Sequence, residues 1–99
     1  MKPVILRRPL AEEDLINLWL YTLDNWDEDQ ANYYLDTLGS AFELIAENPL
    51  ICRERDEFTP PVRIHPCEQH LIIYIKIDSG IDIIRILHKS MDIDSQLAE

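Results

Sequence analysis

The sequence predicts an α+β domain: an N-terminal strand, then an antiparallel helical hairpin packed on an antiparallel sheet completed by three C-terminal strands. Three observations lead there. Residues 10–48 hold two stretches with apolar side chains at helical spacing. Residues 62–88 hold three runs dense in Ile, Val and Tyr, the side chains that suit a pleated surface. Turn chemistry separates all five, at Asp24–Asp29, Asn48-Pro49, Pro66–Gln69 and Asp78-Ser79-Gly80. At 99 residues the chain makes one domain, 1–99, with a core but little surplus stability.

Pro3–Arg7 reads as a short edge strand, with Pro3 tolerable only at its start. A helix follows at once, because Pro9 suits a first turn and Glu12, Glu13 and Asp14 lie where the helix dipole favours anions. Leu15, Leu18, Trp19, Thr22 and Trp26 form its core stripe. Ile16, Leu20 and Leu23 lie off that stripe, so this helix either has a second cover or offers an apolar patch to another molecule.

Asp27 or Asn25 can cap the second helix, in which Ala31, Tyr34, Leu35, Leu38, Phe42, Ile45 and Ala46 keep the helical period. Asn48-Pro49 ends it, since the residue before proline is driven out of helical geometry. Leu50–Pro61 is a charged loop. Strands then run over Val62–His65, His70–Ile77 and Ile81–His88, with Gly80 expected to supply positive φ in the last hairpin. Asp92–Leu97 could add one helical turn capped by Asp92. The helices should cover Leu71, Ile73, Ile75 and Ile77. The other face, with Tyr74, Lys76 and either Arg63 or Arg85, would then be wet.

The net charge of −10 is unevenly placed. No Lys or Arg lies between Arg8 and Arg53, where ten of the 19 acids fall; the remainder is balanced, nine acids against nine bases. Direct nucleic-acid binding is therefore not expected, since phosphate neutralisation supplies most non-specific binding. The acidic segment is either a solvated face or a docking face for a basic partner. No stretch is long and apolar enough to span a bilayer, and the start has too short an apolar run for a secretory signal, so a cytoplasmic location is expected. Cys52 and Cys67, fifteen positions apart, fit reduced thiols better than a disulfide. His65, Cys67 and His70, even with Cys52, match no usual zinc spacing, so no metal and no cofactor is expected.

Arg85 needs an explanation, because a guanidinium in a strand must be exposed, pair with a carboxylate or meet a partner's anion. Asp82, a helix acid and a functional contact are the three choices. His88 lies on the opposite strand face and suits a cap or core edge better than a catalytic base.

Taken in order, Ala11-x-x-Asp14-Leu15, Trp26, Gln30-Ala31-x-x-Tyr34, Phe42-x-x-Ile45-Ala46-x-x-Pro49, Arg53-x-x-Asp56-Glu57, Arg63, Ile73-Tyr74 and Ile84-Arg85-Ile86-Leu87-His88-x-x-Met91-Asp92 resemble the ParE toxins of the RelE/ParE superfamily, over about Pro9 to Asp92. The resemblance implies a toxin of a bacterial toxin–antitoxin module, held inactive by a cognate ParD-like antitoxin and acting on a protein target such as DNA gyrase. It makes this chain an inhibitor of an enzyme rather than a catalyst. Arg63, Tyr74, Arg85, His88 and Met91 are the candidates for target binding. Ile16, Leu20, Leu23 and Tyr33 are those for antitoxin binding.

RelE relatives instead cut messenger RNA on the ribosome. Arg63 and Arg85 match arginine positions of that pattern, but the loop that would supply lysines holds Arg53 and Arg55 among Glu54, Asp56 and Glu57. Such cleavage needs a base, an acid and cations around the phosphate. A third reading is an acidic decoy that occupies a DNA-binding groove, although the acids at 12–14 and 27–29 fall where helices start.

Overall fold

The computed structural model describes residues 2–97. Its elements follow in the order β1 (Val4–Arg7), α1 (Pro9–Asn25), α2 (Glu28–Glu47), β2 (Glu54–Arg55), β3 (Val62–Cys67), β4 (His70–Ile77), β5 (Gly80–His88) and α3 (Ile93–Leu97). Among the described residues the sheet has five strands in the order β1-β5-β4-β3-β2. β2 to β5 pair antiparallel, as expected of the C-terminal strands, while β1 joins β5 in parallel and makes the sheet mixed. The two-residue β2, in what reads as loop, pairs with Val62 and Arg63.

Proline and aspartate set the helix starts. Pro9 opens α1, and Asp27 caps α2 by accepting from the Gln30 amide at 2.8 Å. Ala11, Leu38, Phe42, Ile45 and Ala46 of the hairpin pack on Ile72, Tyr74, Ile81, Ile83 and Ile86 of the sheet, with Leu15, Leu18, Tyr34 and Leu35 around them.

The helices thus cover the Ile72/Tyr74 face of β4, the reverse of the sequence expectation. Ile73, Val62 and Leu87 lie on the other face, and it is not wholly wet: Phe58, Ile64, Ile84 and the Ile93 and Leu97 of α3 pack there. A β-bulge lets β5 serve both faces. Ile73 is opposite Arg85 and Tyr74 opposite Ile83, which leaves Ile84 as an extra residue. Beyond that point the alternation flips, so Ile81, Ile83 and Ile86 all face the helices although their spacing is not uniformly two.

Gly80 differs from expectation in its reason. No described glycine has positive φ; instead the backbone of β1 passes so close that a Cβ at residue 80 would collide with the Val4 carbonyl. Glycine is required there by strand approach. The left-handed residue is Glu68, φ 55°, in the β3–β4 turn. Trp26, expected in the core, is 64% exposed, because it stands at the end of α1 where the chain has already turned away from the sheet.

Candidate functional site

The expected target-binding residues do not form one surface. Tyr74 is fully buried, and its hydroxyl donates to the Pro49 carbonyl at 2.9 Å, tying the end of α2 to the sheet. Burial, followed by the neighbouring Cys52, pushes that phenol up to about 12, so it is a neutral donor in the cell. Arg63 is half-buried, and its Nη1 donates to the Cys52 carbonyl at 2.6 Å. The Cys52 thiol meets His65 Nδ1 at 3.5 Å. Tyr74 and Arg63 are direct neighbours across β3 and β4.

Arg85 is held by a helix acid, one of the partners the sequence allows. Its Nε and Nη2 donate to the two carboxylate oxygens of Asp14 at 2.8 and 3.0 Å, and the same carboxylate accepts the Ile86 amide at 3.0 Å. The pairing has a topological cause. β1 ends at Arg7 opposite Ile83, so the β5 amides beyond that level have no strand partner on that side, and α1 crosses there with Asp14. Arg85 Nη1 also donates to the Gln96 carbonyl of α3 at 3.3 Å. One guanidinium therefore joins α1, β5 and α3. The Asp14 hydrogen bonds, ahead of an opposing effect of burial, raise its affinity for its proton. The other candidate, Asp82, pairs with Arg8 at 3.1 Å.

His88 lies about four strand residues, or roughly 13 Å, along the sheet from the Tyr74 level. It is directly opposite His70, their rings meeting edge-on at 5.3 Å, and the Tyr34 ring stands edge-on to His70 at 5.4 Å. The Gln69 amide donates to the Tyr34 oxygen at 3.1 Å, and the Tyr34 hydroxyl lies 2.6 Å from His70 Nδ1. Burial first, then His88, drives His70 down to about 4, with Asp14 opposing, so His70 is neutral at physiological pH. The Ser90 amide donates to His88 Nδ1 at 3.0 Å, which places the proton of a neutral His88 on Nε2. In that arrangement Nδ1 is engaged by Ser90, whose hydroxyl lies 2.7 Å from it. Met91 is 46% exposed in the following turn.

The antitoxin candidates are on the outside. Ile16 and Leu20 are about half exposed, Leu23 is half-buried, and the three follow one another at i, i+4 and i+7 on the outer side of α1. Tyr33 of α2 is 64% exposed. Sequence reasoning left out Tyr21 and placed Trp26 in the core; both are largely exposed, with rings 6.4 Å apart at the tip of the hairpin. The polar run Asp24-Asn25 and Asp27 around Trp26 was the available signal. It also left Asp14 without an assigned partner, although Asp14 is the acid nearest the unpaired part of β5. The four ion pairs found among the described residues leave every carboxylate from Asp24 to Glu47 without a cationic side chain.

A groove of about 630 Å³ opens on the second sheet face, with Leu10, Phe58, Pro60, Val62, Ile84 and Leu97 among its walls. Among the described residues no group of three or more His, Cys, Asp and Glu side chains is placed to hold a metal ion, and no helix is long and apolar enough to cross a membrane.

Residues 5–93 match the family model described as the ParE toxin of the type II toxin-antitoxin system, parDE. The chain is similar to Toxin ParE1 of Mycobacterium tuberculosis strain H37Rv, with 39% identity over 93 residues, 93% of this chain and 95% of that one. It is 32% identical to Toxin ParE1 of Caulobacter vibrioides over 97 residues, which covers 98% of this chain and 99% of the relative. Among solved structures, a chain of the chromosomal ParDE TA system from P. aeruginosa shares the fold with a TM-score of 0.74 at 15% identity, over 88% of this chain and 96% of that one.

Proposed function

The chain belongs to the ParE toxin family of type II parDE toxin–antitoxin systems, and from that premise we propose that its cognate antitoxin neutralises it by seating an amphipathic, Lys/Arg-bearing helix on the outer ridge of α1. The observation that carries this reading is an apolar line, the exposed Ile16 and Leu20 with the half-buried Leu23, on a hairpin with no basic residue of its own. Apolar side chains at that spacing are the receptor half of a helix-in-groove contact, and the surrounding carboxylates favour a cationic partner. Full burial of each Leu or Ile contributes about 1.5–3 kcal/mol, so these three with Tyr33 can anchor a tight complex. Leu20→Glu abolishes complex formation and leaves the fold unchanged by circular dichroism; affinity kept within threefold of wild type shows that the ridge is idle.

The toxic action we assign to contact with a protein target, of which DNA gyrase is the first to test. The partly exposed His88 and the exposed Met91 supply the accessible contact. Arg63, Tyr74 and Arg85 support it from within, since all three are committed to internal partners. The same commitments weigh against a RelE-like ribonuclease, which needs free cations and a free base around a phosphate. They say nothing for an acidic decoy, whose carboxylates would need regular spacing along one face. Growth arrest on induced expression, relieved by the adjacent reading frame, tests the module. A supercoiling assay at stoichiometric excess tests the target, and absence of both inhibition and a trapped cleavage complex refutes gyrase. Messenger RNA cut in a translating extract would refute the non-enzymatic reading.

A further inference from the structure

Between α2 and β2 the chain carries Cys52 past β3, and a nucleophile, a base and a cation meet there. The half-buried Cys52 thiol lies 3.5 Å from His65 Nδ1. Burial holds the His65 imidazole below its ordinary range, so the ring is neutral at physiological pH and Nδ1 can accept the thiol proton. The Tyr74 hydroxyl, committed to the Pro49 carbonyl, is the other polar neighbour of this thiol. Arg63 Nη1 donates to the Cys52 carbonyl at 2.6 Å, which fixes a guanidinium beside the peptide that bears the sulfur. Arg53 follows Cys52 in the chain and is exposed. Neither arginine belongs to any of the four ion pairs among the described residues, so both charges stand there without a carboxylate. Cys67, two residues beyond His65, is the contrast within the same chain. It packs against the apolar cluster under the helices, and burial first, then Glu68, push its thiol up.

We propose that Cys52 is a reversible modification site, captured as a mixed disulfide by small, carboxylate-bearing disulfides, with His65 as base for the thiol and Arg63 as anchor for the carboxylate. Reactive cysteines occupy partly exposed, electropositive surroundings, and a nucleophile within reach of a base is the arrangement that activates one. The step balances without a further oxidant. Cys52 Sγ attacks one sulfur of the small disulfide as its proton passes to His65 Nδ1, and a new S–S bond forms while the old one breaks. The departing sulfur leaves with the electron pair of the broken bond and takes the proton from His65, so Cys52 is oxidised and one half of the reagent is released as a thiol. The carboxylate decides which disulfide is favoured, because Arg63 and Arg53 attract it in a chain that is otherwise acidic. The adduct also changes the fold locally. A substituted sulfur cannot keep the thiol's place beside His65 and Tyr74, and that place lies between the two bonds that tie residues 49–52 to the sheet, Tyr74 to the Pro49 carbonyl and Arg63 to the Cys52 carbonyl. Oxidation at Cys52 thereby loosens the joint between the end of α2 and β3.

The test incubates the reduced, full-length protein with oxidised glutathione, or with the uncharged hydroxyethyl disulfide, and follows each cysteine by peptide mass spectrometry after acid quenching. In the folded protein Cys52 takes the glutathione adduct about tenfold faster than Cys67, and in urea the two rates converge. His65→Gln slows Cys52 about tenfold with both reagents. Arg63→Gln removes the preference for the charged reagent and Arg63→Lys keeps it, with circular dichroism to show that each variant is folded. The purified adduct melts roughly 4–8 °C below the reduced protein, and a dithiol reductant restores the original value. Equal rates at Cys52 and Cys67 in the folded protein overturn the proposal, as does a His65→Gln rate equal to wild type. A preference for the charged reagent no greater in the folded wild type than in urea overturns the role of Arg63 without any variant having to fold. An adduct that forms at Cys52 and leaves the melting temperature unchanged overturns the coupling to the α2 joint.

Discussion

Replacing Asp14 by Asn removes a charge from the centre of the contact that joins α1, β5 and α3. The carboxylate accepts three hydrogen bonds, two from Arg85 and one from the Ile86 amide, and the Asp14 and Arg85 side chains are 16% and 15% exposed. Removing one member of a buried pair costs about 3–5 kcal/mol, because the remaining charge is left without an anion. Residual exposure and the amide oxygen that Asn retains reduce this to about 2–3 kcal/mol. For a chain this size each kcal/mol moves Tm by roughly 4–8 °C, so D14N should melt about 10–20 °C lower, measured by thermal and urea unfolding of the antitoxin-free protein. Asp14→Leu with Arg85→Leu supplies the second arm: the double variant should fall short of the summed single losses by about 2 kcal/mol. A D14N loss below about 0.5 kcal/mol, or strict additivity of the Leu variants, refutes the clamp and returns Arg85 to the surface as a free cation.

Two further outcomes follow from the packing and the titrating groups. Gly80→Ala drives a methyl group into the Val4 backbone, so β1 must leave β5 or shift; a loss of about 2 kcal/mol or more in urea unfolding, with faster exchange of the Val4 and Leu6 amides, is expected. His70 binds its proton less readily in the fold, at about 4 against the ordinary 6.5, so the unfolded chain takes up the proton first. Its contribution to stability is complete above pH 6.5, declines as pH falls and is gone by about pH 4. The ring is only half-buried, so the loss is about 1–2 kcal/mol, and His70→Gln should flatten the stability curve between pH 6.5 and 5 relative to wild type.

The helical hairpin was legible because its two signals agree: the apolar period sets the faces, and Asp27 and Asn48-Pro49 set the ends of α2. The three C-terminal strands were legible from their β-branched runs. Which sheet face the helices cover was not. β4 is apolar on both sides, with Ile72 and Tyr74 on one and Ile73 and Ile75 on the other, so alternation gives no preference. The bulge at Ile84 then reverses the alternation of β5 without a glycine or proline to mark it. Tyr74 was misplaced for the same reason, since a tyrosine in a strand is read as a wet residue unless its hydroxyl partner is known, and that partner is a carbonyl 25 residues away. The parallel docking of β1 depends on close approach to Gly80, whose turn-like context suggests positive φ instead. On α1 the stripe predicts exposure only in part: Ile16 and Leu20, off it, are exposed, but Leu23, also off it, is half-buried, and Trp26, placed on it, is exposed.

The commitments of the two sheet arginines bear on how a toxin of this fold can act. A cation stabilises a phosphate by charge only if that charge is not already neutralised or turned inward. Arg85 is neutralised by Asp14, and Arg63 donates to a backbone carbonyl. Freeing Arg85 would break its two bonds to Asp14 and its bond to the Gln96 carbonyl, so an anionic ligand must replace three hydrogen bonds before it gains any contact of its own. A protein target has no such requirement. It can bind the rim formed by His88 and Met91 while the arginines stay where they are. On this reasoning D14N, if it folds, releases an arginine and raises affinity for phosphate. A wild-type chain that bound RNA as tightly as D14N would show that the clamp does not restrain Arg85.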